Sequence, residues 1–179
     1  MMRLDSFVKQ RDRGRPFWLE LLWIFFQSLF RCSWLPGSQW RCYLLRFFGA
    51  RVGRGVVIKS GVKIKFPWRL EIGDYSWIGE DVWIDNLTDV AIGAHCCLSQ
   101  GVYLCTGNHD WSKSFFDLTA KPIVLKEGVW IAARAVVGPG VTVGEGVVLC
   151  LQSAATEDLA AWSIYQGNPA SFVKKRNIS

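Results

Sequence analysis

Between Val52 and Ala155 an aliphatic or small apolar residue returns every six positions, and no other property of the chain restricts its fold so tightly. The phase runs Val52, Ile58, Ile64; Ile72, Ile78, Ile84; Ile92, Leu98, Leu104; then, after a break, Leu125, Ile131, Val137, Val143, Leu149 and Ala155. Four residues after most of these comes a second residue able to fill an interior, such as Val56, Val62, Val82, Cys96, Val102, Ala135 or Val147. A helix repeats its apolar stripe at three, four and seven residues, whereas six is a multiple of the two-residue strand period. Each hexad therefore reads as a short strand followed by a corner. A unit this small cannot bury its apolar side alone and must stack on its neighbours. Three hexads bring the chain back above itself, so that Ile78 lies over Ile58 or Ile64. Gly55, Gly61, Gly101, Gly128, Gly140 and Gly146 fall at the corners, where glycine tolerates positive φ. The expected architecture is all-β: a three-sided prism of stacked parallel strands over residues 51–161.

Three interruptions break the phase. Two add a pair of residues each, between Trp68 and Ile72 and between Thr88 and Ile92, and bulge a corner. The third is larger: the chain leaves the repeat at Gly107 and rejoins it near Leu125, so most of residues 107–122 must project as a loop. Long excursions from a rigid scaffold are where function concentrates. This one opens with His109, one of two histidines in the protein. Imidazole titrates near neutrality, so it can take a proton from a hydroxyl and deliver it to a leaving thiolate. The other histidine, His95, follows Ile92-Gly93-Ala94 at a corner and reads as solvent-exposed. One coil separates Ile84 from Leu104, which puts Asp85 and Asn86 near the start of the His109 loop.

The whole net charge of +6 belongs to residues 1–51, where nine Lys or Arg, among them Arg3, Lys9, Arg11 and Arg13, face Asp5, Asp12 and Glu20. The same arm, residues 1–50, is densely aromatic. Pro16 to Phe30 reads as a helix with proline in its first turn, and Gln39 to Phe48 as a second, with Gly49 as its C-cap. At 100° per residue Arg13, Glu20, Gln27 and Arg31 share one narrow stripe, and the rest of the first helix is apolar. The apolar run is too short to span a bilayer and lacks a signal-peptide cleavage site. Two readings stay open. The arm packs on the end of the prism or on a sister subunit, or it lies on an anionic leaflet with Trp18, Trp23, Trp34 and Trp40 at headgroup depth. It is too apolar for a solvated phosphate-binding face, which argues against nucleic acid.

Cys32, Cys42, Cys96, Cys97, Cys105 and Cys150 show neither metal-ligand nor disulfide spacing and read as free thiols of a reducing cytosol. Two histidines are too few for a three-histidine zinc site, so no metal is implied.

The hexads resemble those of the left-handed parallel β-helix acyltransferases. The hand is carried over from that family, because general crossover rules favour the opposite one. Thr106-Gly107-Asn108-His109-Asp110 resembles the loop base of the colanic-acid-type acetyltransferases of exopolysaccharide synthesis, and Gln166-Gly167-Asn168-Pro169-Ala170 with Lys174-Lys175-Arg176 resembles the closing motif and basic tail. The likeness implies about five coils, a short C-terminal helix within residues 162–179, and a homotrimer with active sites between adjacent prisms. It implies transfer of acetyl from acetyl-coenzyme A to a sugar hydroxyl, on an exopolysaccharide precursor or lipid-linked oligosaccharide, at the cytoplasmic face of the membrane with residues 1–48 as the peripheral contact. His109 is the implied general base in a direct transfer. Asp85 orients the imidazole or binds the sugar, and Asn86, Asp110 and Trp111 are the implied acceptor contacts. On the donor side the likeness implies Trp130, Ala133, Leu151, Thr156, Pro169 and Lys174. Ala132 and Glu157 depart from the family's glycine and lysine. An N-acetyltransferase for amino or nucleotide sugars keeps the chemistry but leaves the apolar arm hard to explain; a catalytically silent membrane-bound scaffold is the third reading.

Overall fold

Residues 14–178 are described by the computed structural model; Arg3, Asp5, Lys9, Arg11, Asp12, Arg13 and Ser179 lie outside the described residues. The hexads fold as their period requires. The first coil is β1 (Arg51–Val52), β2 (Val57–Ile58) and β3 (Lys63–Ile64). The second is β4 (Leu70–Ile72), β5 (Trp77–Ile78) and β6 (Trp83–Asp85); the third is β7 (Val90–Ile92), β8 (Cys97–Leu98) and β9 (Tyr103–Cys105). A hairpin, β10 (Gly107–His109) and β11 (Leu118–Ala120), then leaves the prism. The fourth coil is β12 (Ile123–Leu125), β13 (Trp130–Ile131) and β14 (Val136–Val137), and the fifth is β15 (Thr142–Val143), β16 (Val148–Leu149) and β17 (Ala154–Ala155).

Every strand pairs in parallel with its counterparts one coil away, giving three faces: β1-β4-β7-β12-β15, β2-β5-β8-β13-β16 and β3-β6-β9-β14-β17. Of the two stackings left open for Ile78, the one over Ile58 is found; Leu104 lies over Ile84. The columns of aliphatic residues fill the interior, with Ile58, Ile78, Leu98, Ile131 and Leu149 each at most 1% exposed. At one corner Tyr75 and His95 take positive φ, a conformation that costs an L residue roughly 1–2 kcal/mol, and the exposed rings stack at 5.4 Å. The bulge between Trp68 and Ile72 is a 3-10 turn, Pro67–Arg69.

The two ends of the prism are covered differently. The C-terminal segment is strand where a helix was expected. After the fifth coil, β18 (Ser163–Gly167) adds in parallel to β16 and begins a sixth turn, and β19 (Ala170–Lys175) returns antiparallel to it. Cys150 N–H donates to Tyr165 O at 2.9 Å, so the extra strand satisfies an edge that a helix would leave open. Arg176 then clips the hairpin to the wall by donating to Gly128 O and Gly146 O at 3.1 and 2.8 Å.

At the other end the first coil is the open edge. Lys63 N–H and Lys65 N–H take Val82 O and Ile84 O; in a parallel ladder alternate residues face opposite neighbours, so Ile64, between them, turns its carbonyl to the open side. The helices α1 (Phe17–Arg31) and α2 (Gln39–Phe47) supply the missing donors. Trp23 Nε1 and Gln27 Nε2 both donate to Ile64 O, at 2.9 and 2.6 Å. Arg46 donates to Val52 O and Gly53 O at 3.0 and 2.8 Å, and the Cys42 thiol reaches Val56 O at 3.5 Å. Glu20, Trp23 and Phe30 are buried beneath the helix. Glu20 and Gln27 of the polar stripe therefore face the protein while Arg31 stays exposed, and Trp23, expected at headgroup depth, is 1% exposed inside. Trp40 is part-buried, its Nε1 on Pro36 O and the Arg41 guanidinium over its ring.

Candidate active site

The excursion of residues 107–122 is a short antiparallel hairpin, with Gly107 opposite Ala120 and His109 opposite Leu118. Its base is tied to the wall: the Thr106 hydroxyl donates to Asp85 O at 2.9 Å, and Lys121 N–H to Thr106 O at 3.0 Å. The tip turns on Asp110, whose Oδ1 accepts from Ser112 N–H and the Ser112 hydroxyl at 3.1 and 2.5 Å. Those two bonds, with Lys113 nearby, hold the Asp110 carboxyl below its ordinary range. Asp110 thus caps the loop, and Trp111 stands at the tip, 83% exposed.

The half-buried His109 ring lies flat against Phe116, with centroids 4.1 Å apart and planes 4° from parallel. Its Nδ1 is 2.8 Å from Phe116 O. A carbonyl oxygen only accepts, so Nδ1 carries the proton and the lone pair of the neutral ring is on Nε2. Stacking and hydrogen bond together fix both the orientation and the tautomer of the imidazole.

Asp85 sits on β6 directly opposite Cys105 and is engaged elsewhere. Lys65 Nζ binds Oδ1 at 2.8 Å and the Tyr103 hydroxyl approaches Oδ2 at 3.4 Å. Burial first, then the neighbouring Cys105 thiol and the Asp85 carboxylate, push the Tyr103 phenol up, so it remains a donor. Within the chain, the orienting part that the sequence offered Asp85 is taken by Phe116 O. Asn86 is fully buried, with its side chain accepting from Phe66 N–H at 3.0 Å and donating to Phe66 O at 2.6 Å. An amide spent on both backbone groups of Phe66 clips the first bulge, and the acceptor contact expected of Asn86 has no support in its position.

Most of the donor-side residues lie on other edges. Trp130 is on β13, half-exposed, its Nε1 donating to Ser99 Oγ at 3.0 Å. Ala133 and Leu151 occupy the next corner, where Gln152 N–H donates to Ala133 O. Thr156 follows β17 at the corner from which the hairpin springs two coils earlier, and Pro169 and Lys174 belong to the C-terminal hairpin. One prism alone does not gather them around His109. Among the described residues no group of three His, Cys, Asp or Glu side chains is placed to hold a metal ion. Burial pushes the Cys96 thiol up to about 11, which keeps it protonated.

Phe116 and Lys65 were not singled out from the sequence. Phe116 lies in the off-phase loop and carries no periodic signal. Lys65 had one: it precedes Asp85 by one twenty-residue coil, as Phe66 precedes Asn86.

No family model matches the chain. A protein of Escherichia coli (strain K12) bearing the name colanic acid biosynthesis acetyltransferase WcaF is 42% identical over 165 residues, covering 91% of this chain and 90% of that one. Among solved structures, a hexapeptide-repeat acetyltransferase of Vibrio cholerae with acetyl-coenzyme A bound superposes with a TM-score of 0.84 at 21% identity, covering 99% of this chain and all of the other. A galactoside acetyltransferase in complex with coenzyme A gives 0.84 at 21% identity, covering 99% and 92%. The prism is thus the left-handed parallel β-helix of these acetyltransferases.

Proposed function

The chain belongs to the colanic-acid-biosynthesis type of hexapeptide acetyltransferase, and from that premise we propose that it transfers acetyl from acetyl-coenzyme A to a sugar hydroxyl. The acceptor is an exopolysaccharide precursor or lipid-linked oligosaccharide, met at the cytoplasmic face of the membrane. The observation that carries this reading is the His109 tautomer, with Nδ1–H held by Phe116 O at 2.8 Å and Nε2 left as the basic nitrogen. Nε2 removes the hydroxyl proton as the sugar oxygen attacks the thioester carbon. The tetrahedral intermediate collapses, the carbon–sulfur bond breaks, and the imidazolium returns the proton to the leaving thiolate. Backbone N–H groups in the channel stabilise the oxyanion without a charged side chain. Among the described residues no cysteine is paired with a base, which supports a direct acyl transfer.

The enzyme acts as a homotrimer, because one smooth prism offers no cleft deep enough for coenzyme A and its donor residues, Thr156 apart, lie away from the edge that carries His109. Exposed Leu151 and Thr156, half-exposed Trp130 and the cationic Lys174 fit a donor that is apolar and amide-rich along its pantetheine and anionic at its phosphates. Ala133 and Pro169 supply backbone at the same channel. Asp85 accepts from an acceptor hydroxyl while Lys65 holds it in place, and Trp111 offers an aromatic face to a sugar ring.

The test is acetyl transfer from acetyl-coenzyme A to a panel of lipid-linked and soluble oligosaccharides, followed by thiol release and product mass. His109→Ala is expected to lower the rate by about 10²–10⁴-fold while acetyl-coenzyme A binding persists. Equal rates for the two proteins would remove the proposed base.

A further inference from the structure

The helical arm turns its polar side to the prism and its apolar side to the outside. Phe17, Trp18, Leu21, Ile24, Phe25 and Leu29 are each between 40% and 75% exposed on α1. At about 100° per residue they cluster on the side of the helix roughly opposite Glu20, Trp23, Gln27 and Phe30. Ring contacts link it to α2: Phe25 stacks edge-on against Phe26, Phe26 leans on Phe48, and Phe48 meets Phe47; the two ends, Phe25 and Phe47, are both 75% exposed, while Phe48 between them is buried. Scattered surface phenylalanines need no explanation, but a contiguous apolar face of this kind marks an interaction surface.

Its charge says what kind. Between residues 14 and 51 the single carboxylate, Glu20, is buried, while Arg15 and Arg31, at the two ends of α1, are exposed and Arg51 is paired with Glu71 on the prism. An apolar face with an exposed guanidinium at each end of its helix complements an anionic lipid surface, where the rings enter the headgroup boundary and the guanidiniums meet phosphate. A second copy docked face to face would set Arg15 and Arg31 near their own like charges. Nor does α1 cross the bilayer: among the described residues no helix is long and apolar enough to do so.

We propose that the outward face of α1, continued by Phe47 of α2, inserts into an anionic bilayer, so that the first-coil end of the prism points at the membrane. The proposal deepens the membrane-side location in the functional reading above and rests on it only for the identity of the acceptor. It also sets a height. The His109 hairpin springs from the third coil on the β3-β6-β9 face, the same face whose Ile64 carbonyl α1 caps. Two strand spacings of about 4.8 Å and a helix diameter of about 10 Å put the imidazole roughly 20 Å from the inserted face. The acetylated hydroxyl of a membrane-held acceptor is therefore carried on an extended headgroup, well clear of the hydrocarbon.

Flotation of the full chain with phosphatidylglycerol-containing vesicles, against neutral phosphatidylcholine vesicles, tests this. Wild type is expected to float with the anionic vesicles and not with the neutral ones. A W18E/F25E variant is expected to lose at least ten-fold in binding while keeping its solution mass and its acetyl-coenzyme A binding. Wild type left behind by anionic vesicles, equal flotation with both lipids, or a variant that floats as well as wild type would each overturn the proposal. A variant that falls to a smaller solution mass would also overturn it, by showing the face to be covered by another copy. Because acetyl-coenzyme A binding is read alongside, a failed flotation leaves the transferase reading standing and refutes only the membrane face.

Discussion

The two ends of the prism meet the same problem with different chemistry. Both expose the unpaired backbone of a terminal coil. The C-terminal end answers with more backbone, β18 and β19, and leaves a mixed surface on which exposed Phe172 and Val173 adjoin Lys174 and Lys175. The N-terminal end answers with side chains, Trp23, Gln27, Arg46 and Cys42, donated from helices. A strand added to a sheet takes up the ladder with its own amides and dictates little about the side chains beyond it. A helix laid across a sheet edge must turn its donors inward, so whatever is apolar on its other side faces out. The lesson is that an amphipathic stripe does not reveal which side is wet when the buried surface is a row of carbonyls.

The comparison can be broken by substitution at each end. Trp23→Ala removes a buried indole, its hydrogen bond to Ile64 O and its edge contacts to Phe30 and Phe48. A loss of about 3–5 kcal/mol lowers the thermal midpoint by roughly 10 °C, measured by calorimetry; a shift of a degree or two would mean that the arm unfolds independently of the prism. Arg176→Ala removes two charge-assisted bonds to the corner carbonyls of Gly128 and Gly146. The expected cost is smaller, about 1.5–3 kcal/mol, and a loss exceeding that of Trp23→Ala would reverse the ranking of the ends. The smallest effect belongs to the hairpin between them. The bonds from Ser112 depress the Asp110 carboxyl in the folded protein, so their stabilisation is present above the unfolded value of about 3.9 and is lost as pH falls through the lower folded value. Asp110→Asn is expected to be slightly less stable than wild type near neutrality, the gap closing on acidification; a gap that widened in acid would contradict the assignment.

Much of this was legible in the hexads. Their phase located the strands, the corners and the projecting segment, because a period of six leaves a chain few ways to bury its aliphatic residues. Pro16 and Gly49 marked the helical arm nearly to the residue, since fixed φ and positive φ are local requirements. What stayed hidden depended on contacts across the chain. Phe116, seven residues from His109 and off the repeat, gives no sign in sequence that its carbonyl fixes the imidazole. Asn86 looked like a polar group near a site and proved to clip Phe66, because a two-residue bulge creates backbone groups that need a partner. The C-terminal strands were missed for a similar reason: the expected helix came with the likeness, and pairing with β16 is a contact across the chain.

The central claim is that an imidazole of one copy meets a thioester held by residues on its neighbour. It is tested most directly by co-refolding two silent proteins, His109→Ala and Ala133→Trp, each checked for an intact trimer, and assaying acetyl transfer by the mixture. With a site shared across the seam, random trimers retain about a quarter of the wild-type seams intact, and activity returns to roughly that level. A mixture as silent as its two components would show that His109 and the donor channel belong to the same copy, and would contradict the account.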